Sequence, residues 1–122
     1  MTAYSTVTLL DDVVYGQASG NYDGSSLLFY SNAVPAANYY GGNGSSQTIY
    51  YRLDDVTALI TIEATLNDLP EQAHWSTIHT FSDGSSTHSG VFAFNVTGNF
   101  VWLRARVELF EGGTIQSITA NY

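Results

Sequence analysis

Three histidines, His74, His79 and His88, fall within fifteen residues and are the first candidates for chemistry. His74 and His79 are five apart, which on a strand sets them on opposite faces, so local geometry does not aim both at one metal. His79 and His88 converging with Asp83 across the intervening loop is the one arrangement that gathers three ligands. Neither a helical zincin spacing nor a zinc-finger spacing occurs, and surface histidines without a metal are the plainer reading. Two aspartate pairs, Asp11-Asp12 and Asp54-Asp55, follow the apolar ends Leu10 and Leu53. Adjacent carboxylates on a strand point apart, so neither pair is a catalytic dyad, and the spacing of a calcium loop is absent. Both pairs read as turns that end strands. The serines of Gly24-Ser25-Ser26 and Gly84-Ser85-Ser86 sit in turn sequences, with no Gly-x-Ser-x-Gly elbow. Glu63 and Glu108, meeting each other or an aspartate in the fold, are the remaining route to a glycosidase pair. Asn43-Gly44-Ser45 and Asn95-Val96-Thr97 match the glycosylation pattern and read as chance matches. The expectation is a protein with no catalytic residues, no metal and no cofactor.

Binding chemistry is better represented. Trp102, Arg104, Arg106 and Glu108 stand at two-residue spacing, placing two of the three basic residues beside a tryptophan on one strand face. Arginine next to an aromatic ring is the composition of an interface anchor, because both give large contact area and directional bonds. These four are the protein-interface candidates. The competing reading is that the same chain covers this face and that the arginines pair with local acids, Glu108 or Glu63. Tyr22, Tyr30, Tyr39, Tyr40, Tyr50 and Tyr51 form a second resource, since tyrosine among Asn and Gly suits a sugar-binding or paratope-like surface. Tyr39, Tyr40, Tyr50, Tyr51 and Trp75 are the candidate ligand contacts. The same tyrosines would also serve to fasten a long loop to a sheet.

These groups must be positioned by strands. The chain of 122 residues carries 11 Asp+Glu against 3 Lys+Arg, a formal charge of -8, with no lysine and no cysteine. Ser and Thr number 13 each and Asn 8, so the polar surface is built mainly from neutral groups that favour strands and turns. From Thr57 to Leu66, Ala58, Ile60, Ile62, Ala64 and Leu66 share one face, opposite Thr57, Thr61, Glu63 and Thr65. From Phe100 to Phe110, Val101, Leu103, Ala105, Val107 and Leu109 form the expected core face. Further strands are expected at Ser5–Leu10, Val13–Ala18, Leu27–Tyr30, Gln47–Leu53, His74–Phe81, Val91–Val96 and Thr114–Asn121. Thr97-Gly98-Asn99 and Glu111-Gly112-Gly113 sit at hairpin spacing and predict a three-stranded meander in the last third. Helical periodicity is absent apart from a turn around Pro70. The reading is an all-β, single-domain antiparallel β-sandwich or jelly roll over residues 1–122, with eight or nine short strands and a long irregular stretch at 31–46.

Composition also excludes partners. Nucleic-acid affinity rests on clustered Lys and Arg, which this chain lacks. Without cysteine there is neither a disulfide framework nor a thiolate site. No apolar run reaches the length of a membrane span, and the start of the chain does not read as a secretory signal.

The runs Ser19-Gly-Asn-Tyr-Asp-Gly-Ser25, Ala36-Ala-Asn-Tyr-Tyr-Gly41, Gln47-Thr-Ile-Tyr50, Ile62-Glu-Ala-Thr-Leu66, Gly98-Asn-Phe-Val-Trp-Leu-Arg-Ala-Arg106 and Gly113-Thr-Ile-Gln-Ser-Ile118 together resemble small virion structural proteins of tailed phages, especially cyanobacterial phages. The resemblance spans most of the chain and is most distinct at Gly98–Arg106. It implies a non-enzymatic virion component assembled in the host cytoplasm, with other virion proteins as partners and with self-association. A head decoration protein on the major capsid protein is the first expectation. A tail, neck or fibre component is the second, and a carbohydrate-binding module contacting the host surface is the alternative from a different class.

Overall fold

The computed structural model describes residues 6–37, 45–67, 69–70, 74–81, 84 and 86–122. Seven strands form among them: β1 (Thr6–Val14), β2 (Phe29–Tyr30), β3 (Val34–Pro35), β4 (Ser46–Thr65), β5 (Ser76–Phe81), β6 (Thr87–Thr97) and β7 (Trp102–Asn121). All the pairings are antiparallel. The expected short strands are fused in pairs into β1, β4 and β7, and β3 is added. Both aspartate pairs thus lie inside strands rather than ending them. Asp12 and Asp55 take left-handed φ values of 56° and 54°, a conformation that Asp tolerates in a bulge as readily as in a turn.

The two 20-residue strands β4 and β7 organise the molecule because each is bent near its middle. Their register slips between Asp54 and Leu59 on β4, opposite Glu108 to Thr114 on β7. At this bend Gly113 has a φ of 90°, and a Cβ there would overlap the carbonyl of Asp55. The bend folds one continuous sheet into a sandwich. In layer A, β1 pairs with residues 114–121 of β7, which pair with residues 48–54 of β4, which in turn pair with β6. In layer B, β2 and β3 pair with residues 102–107 of β7, which pair with residues 60–65 of β4, which in turn pair with β5.

The extra residues at the bend, one on β4 and two on β7, also switch which alternate side chains face inward. On β4 the buried set changes from Ile49, Tyr51 and Leu53 to Val56, Ala58, Ile60, Ile62 and Ala64. On β7, Leu103, Ala105 and Val107 are fully buried as the alternation predicts, but the left-handed Leu109 (φ 53°) reverses the pattern. Leu109 is therefore exposed and Phe110 is buried, opposite to expectation. Leu66, expected in the core, lies beyond the end of β4 and is exposed.

The predicted meander does not form. β6 pairs with β4 in layer A, while the strand after Thr97-Gly98-Asn99 enters layer B, and Glu111-Gly112-Gly113 is a bend within β7. A hairpin signal marks a change of direction; here the chain changes layers. The loop before β2 is fastened by Tyr22, which is buried against Phe29 and Phe110 at ring-centroid distances of 4.9 and 5.2 Å and accepts a hydrogen bond from the Gly16 N–H. In the same loop the Ser25 N–H, and then the Ser26 hydroxyl and N–H, hold the Asp23 carboxyl down at a pKa of about 2.

Candidate functional site

The outer face of layer B is where polar and aromatic side chains converge. Register alone places Glu63 opposite Arg104, Thr61 opposite Arg106, Thr65 opposite Trp102 and Tyr30 opposite Arg106. Inward neighbours Ile62 and Ala64 fix the backbone, so Glu63 must point outward, yet it is only 5% exposed because the two arginines lie over it. Arg104 Nε donates to Glu63 Oε1 at 2.7 Å, and an Arg106 Nη donates to Glu63 Oε2 at 3.0 Å. Each carboxylate oxygen thus serves one guanidinium. Glu108 Oε1 lies 2.9 Å from Arg106 Nε, but that N–H is not directed at it, so the contact is a charge pair rather than a hydrogen bond.

The Arg104 guanidinium also lies over two rings. Its Cζ sits 4.5 Å from the Tyr30 centroid and 4.4 Å from the Trp75 centroid. A planar cation over two aromatic faces gains from both quadrupoles, with each contact worth about 0.5–1 kcal/mol at a partly exposed site. Trp75 reaches this position because β5 pairs Thr77 with Glu63, so the residue preceding β5 lands beside the arginine row. Arg104, Arg106, Trp75 and Trp102 are half-buried, while Tyr30 is 37% exposed. The assembly is a surface platform in which two arginines are balanced by Glu63 and Glu108.

Of the two readings of the Trp102, Arg104, Arg106 and Glu108 row, the pairing with local acids is present, and it involves both Glu63 and Glu108. The candidate ligand contacts do not gather into one site. Tyr51 is fully buried on the inner face of layer A, so it cannot stack on a ligand; the alternation that exposes Tyr50 turns Tyr51 into the core. Tyr50 belongs to the outer face of layer A, the opposite side of the sandwich from Trp75. Tyr39 and Tyr40 lie outside the described residues. The stack of Trp75 on Arg104 escaped the sequence reading, although pairing β5 with β4 at Thr77 and Glu63 would have revealed it.

The histidines serve the interior and the surface separately. Tyr51 Oη and His79 Nδ1 are 3.0 Å apart across the two layers, His79 stacks on Phe94 at 4.3 Å, and His88 packs edge-on against Phe81. Burial lowers the His79 pKa and pushes the Tyr51 hydroxyl above its ordinary range. The imidazole is therefore neutral near pH 7 and suited to accept a hydrogen bond from the Tyr51 hydroxyl, which keeps its proton. His74 is exposed, and Asp83 lies outside the described residues. Among the described residues, no three His, Asp or Glu side chains are placed to hold a metal.

No family model and no curated protein matches the sequence. Among solved structures, the chain is similar to CBM29_1, a family 29 carbohydrate binding module from Piromyces equi, with 10% identity, a TM-score of 0.43, and coverage of 98% of this chain and 91% of that one. A variant of the related module CBM29-2 gives 10% identity and a TM-score of 0.48 over 97% of this chain and 91% of its own. A CBM4 module gives 15% identity and a TM-score of 0.39 over 97% and 66%. Similarity at this level transfers neither ligand nor site residues to this chain.

Proposed function

We propose that this chain is a non-enzymatic binding module that takes a neutral saccharide on the outer face of layer B. The observation supporting this is the Arg104 guanidinium held over Tyr30 and Trp75 and paired with the buried Glu63. A sugar ring offers a C–H face to an aromatic platform and hydroxyl groups to planar donors and acceptors. Arg104 and Arg106 have more N–H donors than their bonds to Glu63 use, and Glu63 and Glu108 offset their charge, so an uncharged polyol suits the face better than an anion. Both oxygens of Glu63 are committed to arginines, which leaves it poorly suited to act as a general acid.

Calorimetry against soluble glucans, mannans and xylans, after a glycan array has chosen among them, tests the reading. Trp75→Ala and Tyr30→Ala should each weaken binding at least tenfold while leaving the circular dichroism melt cooperative. An array in which no neutral glycan binds would reject the saccharide reading.

A second reading, attachment to a virion as a decoration or tail-associated protein, has one specific support. The stretch Gly98–Arg106, which carries the phage resemblance most distinctly, supplies residues 102–106, the start of β7 on this same face. On that reading Trp102, Arg104, Arg106 and Glu108 meet another virion protein. Particles stripped of the protein should then rebind the wild type but not Trp102→Ala. Rebinding by that variant at wild-type strength would remove this face from consideration.

A further inference from the structure

The four edges of the sandwich are protected unequally. β1 carries exposed Asp11 and Asp12, with Asp12 in a left-handed conformation, and β2 and β3 have two residues each. Charged, bulged or very short edges resist pairing with another chain. β5 is also short, at six residues. β6 lacks charge and is not short, and its one irregularity, Gly90 at positive φ beside the register shift with β4 at Leu53 and Val56, lies outside residues 91–97. The strand is 11 residues long, contains no Asp, Glu, Lys, Arg or Pro, and pairs among the described residues only with β4. The sequence has no charged residue from Gly84 to Leu103 in a chain of net charge -8. Copies that repel one another elsewhere meet no repulsion along this edge.

Its side chains also suit an added strand. Gly90, at φ 124°, bounds a segment, 91–97, that pairs with β4 without a register shift. On its inner side Phe92 and Phe94 are half-buried at the open margin between the layers and Val96 is buried; on its outer side Val91, Ala93, Asn95 and Thr97 are exposed. We infer that β6 pairs antiparallel with β6 of a second copy across a two-fold axis at Phe94, forming a sheet continuous through both molecules. This register sets Phe94 against Phe94, Phe92 against Val96, Ala93 against Asn95 and Val91 against Thr97. The apolar inner row thereby extends the core from one copy to the next. Two-fold pairing is self-limiting because it consumes the same edge on both partners. The inference does not depend on what the layer B platform binds, since the β6 edge belongs to layer A.

Sedimentation velocity over about 1–200 µM, a range that brackets weak to moderate dimers, supplies the test. The wild type should shift from monomer to dimer with rising concentration. Ala93→Glu combined with Asn95→Glu clusters four carboxylates across the axis and should weaken dimerisation at least tenfold, as should Ala93→Lys combined with Asn95→Lys. An equimolar mixture of the two variants should recover the dimer as a heterodimer. Thr8→Glu on the β1 edge should leave wild-type dimerisation unchanged. Independently of any variant, amide exchange in residues 91–97 of the wild type should slow as concentration rises, while β1 amides should not change. A wild type monomeric throughout the range, or a dimer undiminished by the doubled glutamates, would overturn the proposal. So would a dimer whose concentration-dependent protection falls on another segment, as it would if the edge were covered by a different occupant.

Discussion

β4 and β7 pass through both layers, yet the two outer faces they help to build are unlike. In layer A, Thr48, Tyr50 and Arg52 look outward beside Thr119 and Ser117 of β7, and Tyr50 and Arg52 are exposed. In layer B, Thr61, Glu63 and Thr65 look outward beside Arg106, Arg104 and Trp102, and all three are buried. The strand is the same, so the difference lies in the neighbours. Small hydroxyl side chains on β7 leave one half of β4 open to water, whereas long amphipathic ones lie down over the other half. A sheet face becomes a platform when its neighbouring strand supplies side chains long enough to cover it and a carboxylate beneath to hold them.

The most disruptive way to break this contrast is to remove the bend that separates the halves. Gly113→Ala places a methyl group against the Asp55 carbonyl at a left-handed φ, and chemical denaturation should show a loss of about 3 kcal/mol or more. Next in size is a paired experiment on the faces themselves. Glu63→Ala should cost about 2 kcal/mol because it strands the half-buried Arg104 guanidinium and leaves Arg106 with Glu108 alone, both still reached in part by water. Arg52→Ala on the layer A face should stay within about 0.5 kcal/mol, since surface changes away from such networks are nearly neutral. Equal losses for the two would show that layer B holds no special network.

A smaller effect concerns the interior between the faces. The His79 pKa is depressed in the folded protein, so as pH falls below the ordinary imidazole value of 6.5 the unfolded chain takes up the proton first. Stability is complete above that pH and declines as pH drops toward the folded value. The melting temperature measured from pH 7 to 5 should therefore fall less in His79→Gln than in the wild type. Small too is the effect of Trp75→Ala, which should cost about 1 kcal/mol or less in stability, even though the saccharide reading gives it a large effect on binding.

How far these features could be read in the sequence varies from residue to residue. The alternations at Ala58–Ala64 and Leu103–Val107 correctly identified a core because the backbone there is regular strand, in which successive side chains point to opposite faces. The sandwich class followed from the many turn signals. The bends did not, since Asp54-Asp55 and Gly112-Gly113 are as suitable for a turn as for a bulge, and only the partner strand decides between them. The loss of phase at Leu109 and the placement of β6 beside β4 are non-local for the same reason. At the platform, Arg104 and Arg106 stood out by type and spacing, and Glu63 was one of two acids named as their partner. Trp75 was noticed for its ring but not for Arg104, because their meeting requires the pairings of β4 with both β5 and β7.

One consequence of this topology concerns synthesis rather than binding. β7 is the shared partner of β1, β2, β3 and β4, with Thr6 paired to Asn121 at one extreme and Thr65 to Trp102 at the other. Until residues 102–121 leave the ribosome, β1, β2 and β3 lack their strand partner and β4 has only β5 and β6, so neither layer can close. Native structure should then appear late and all at once, with loop-closure entropy of the most distant pairings setting a slow folding rate.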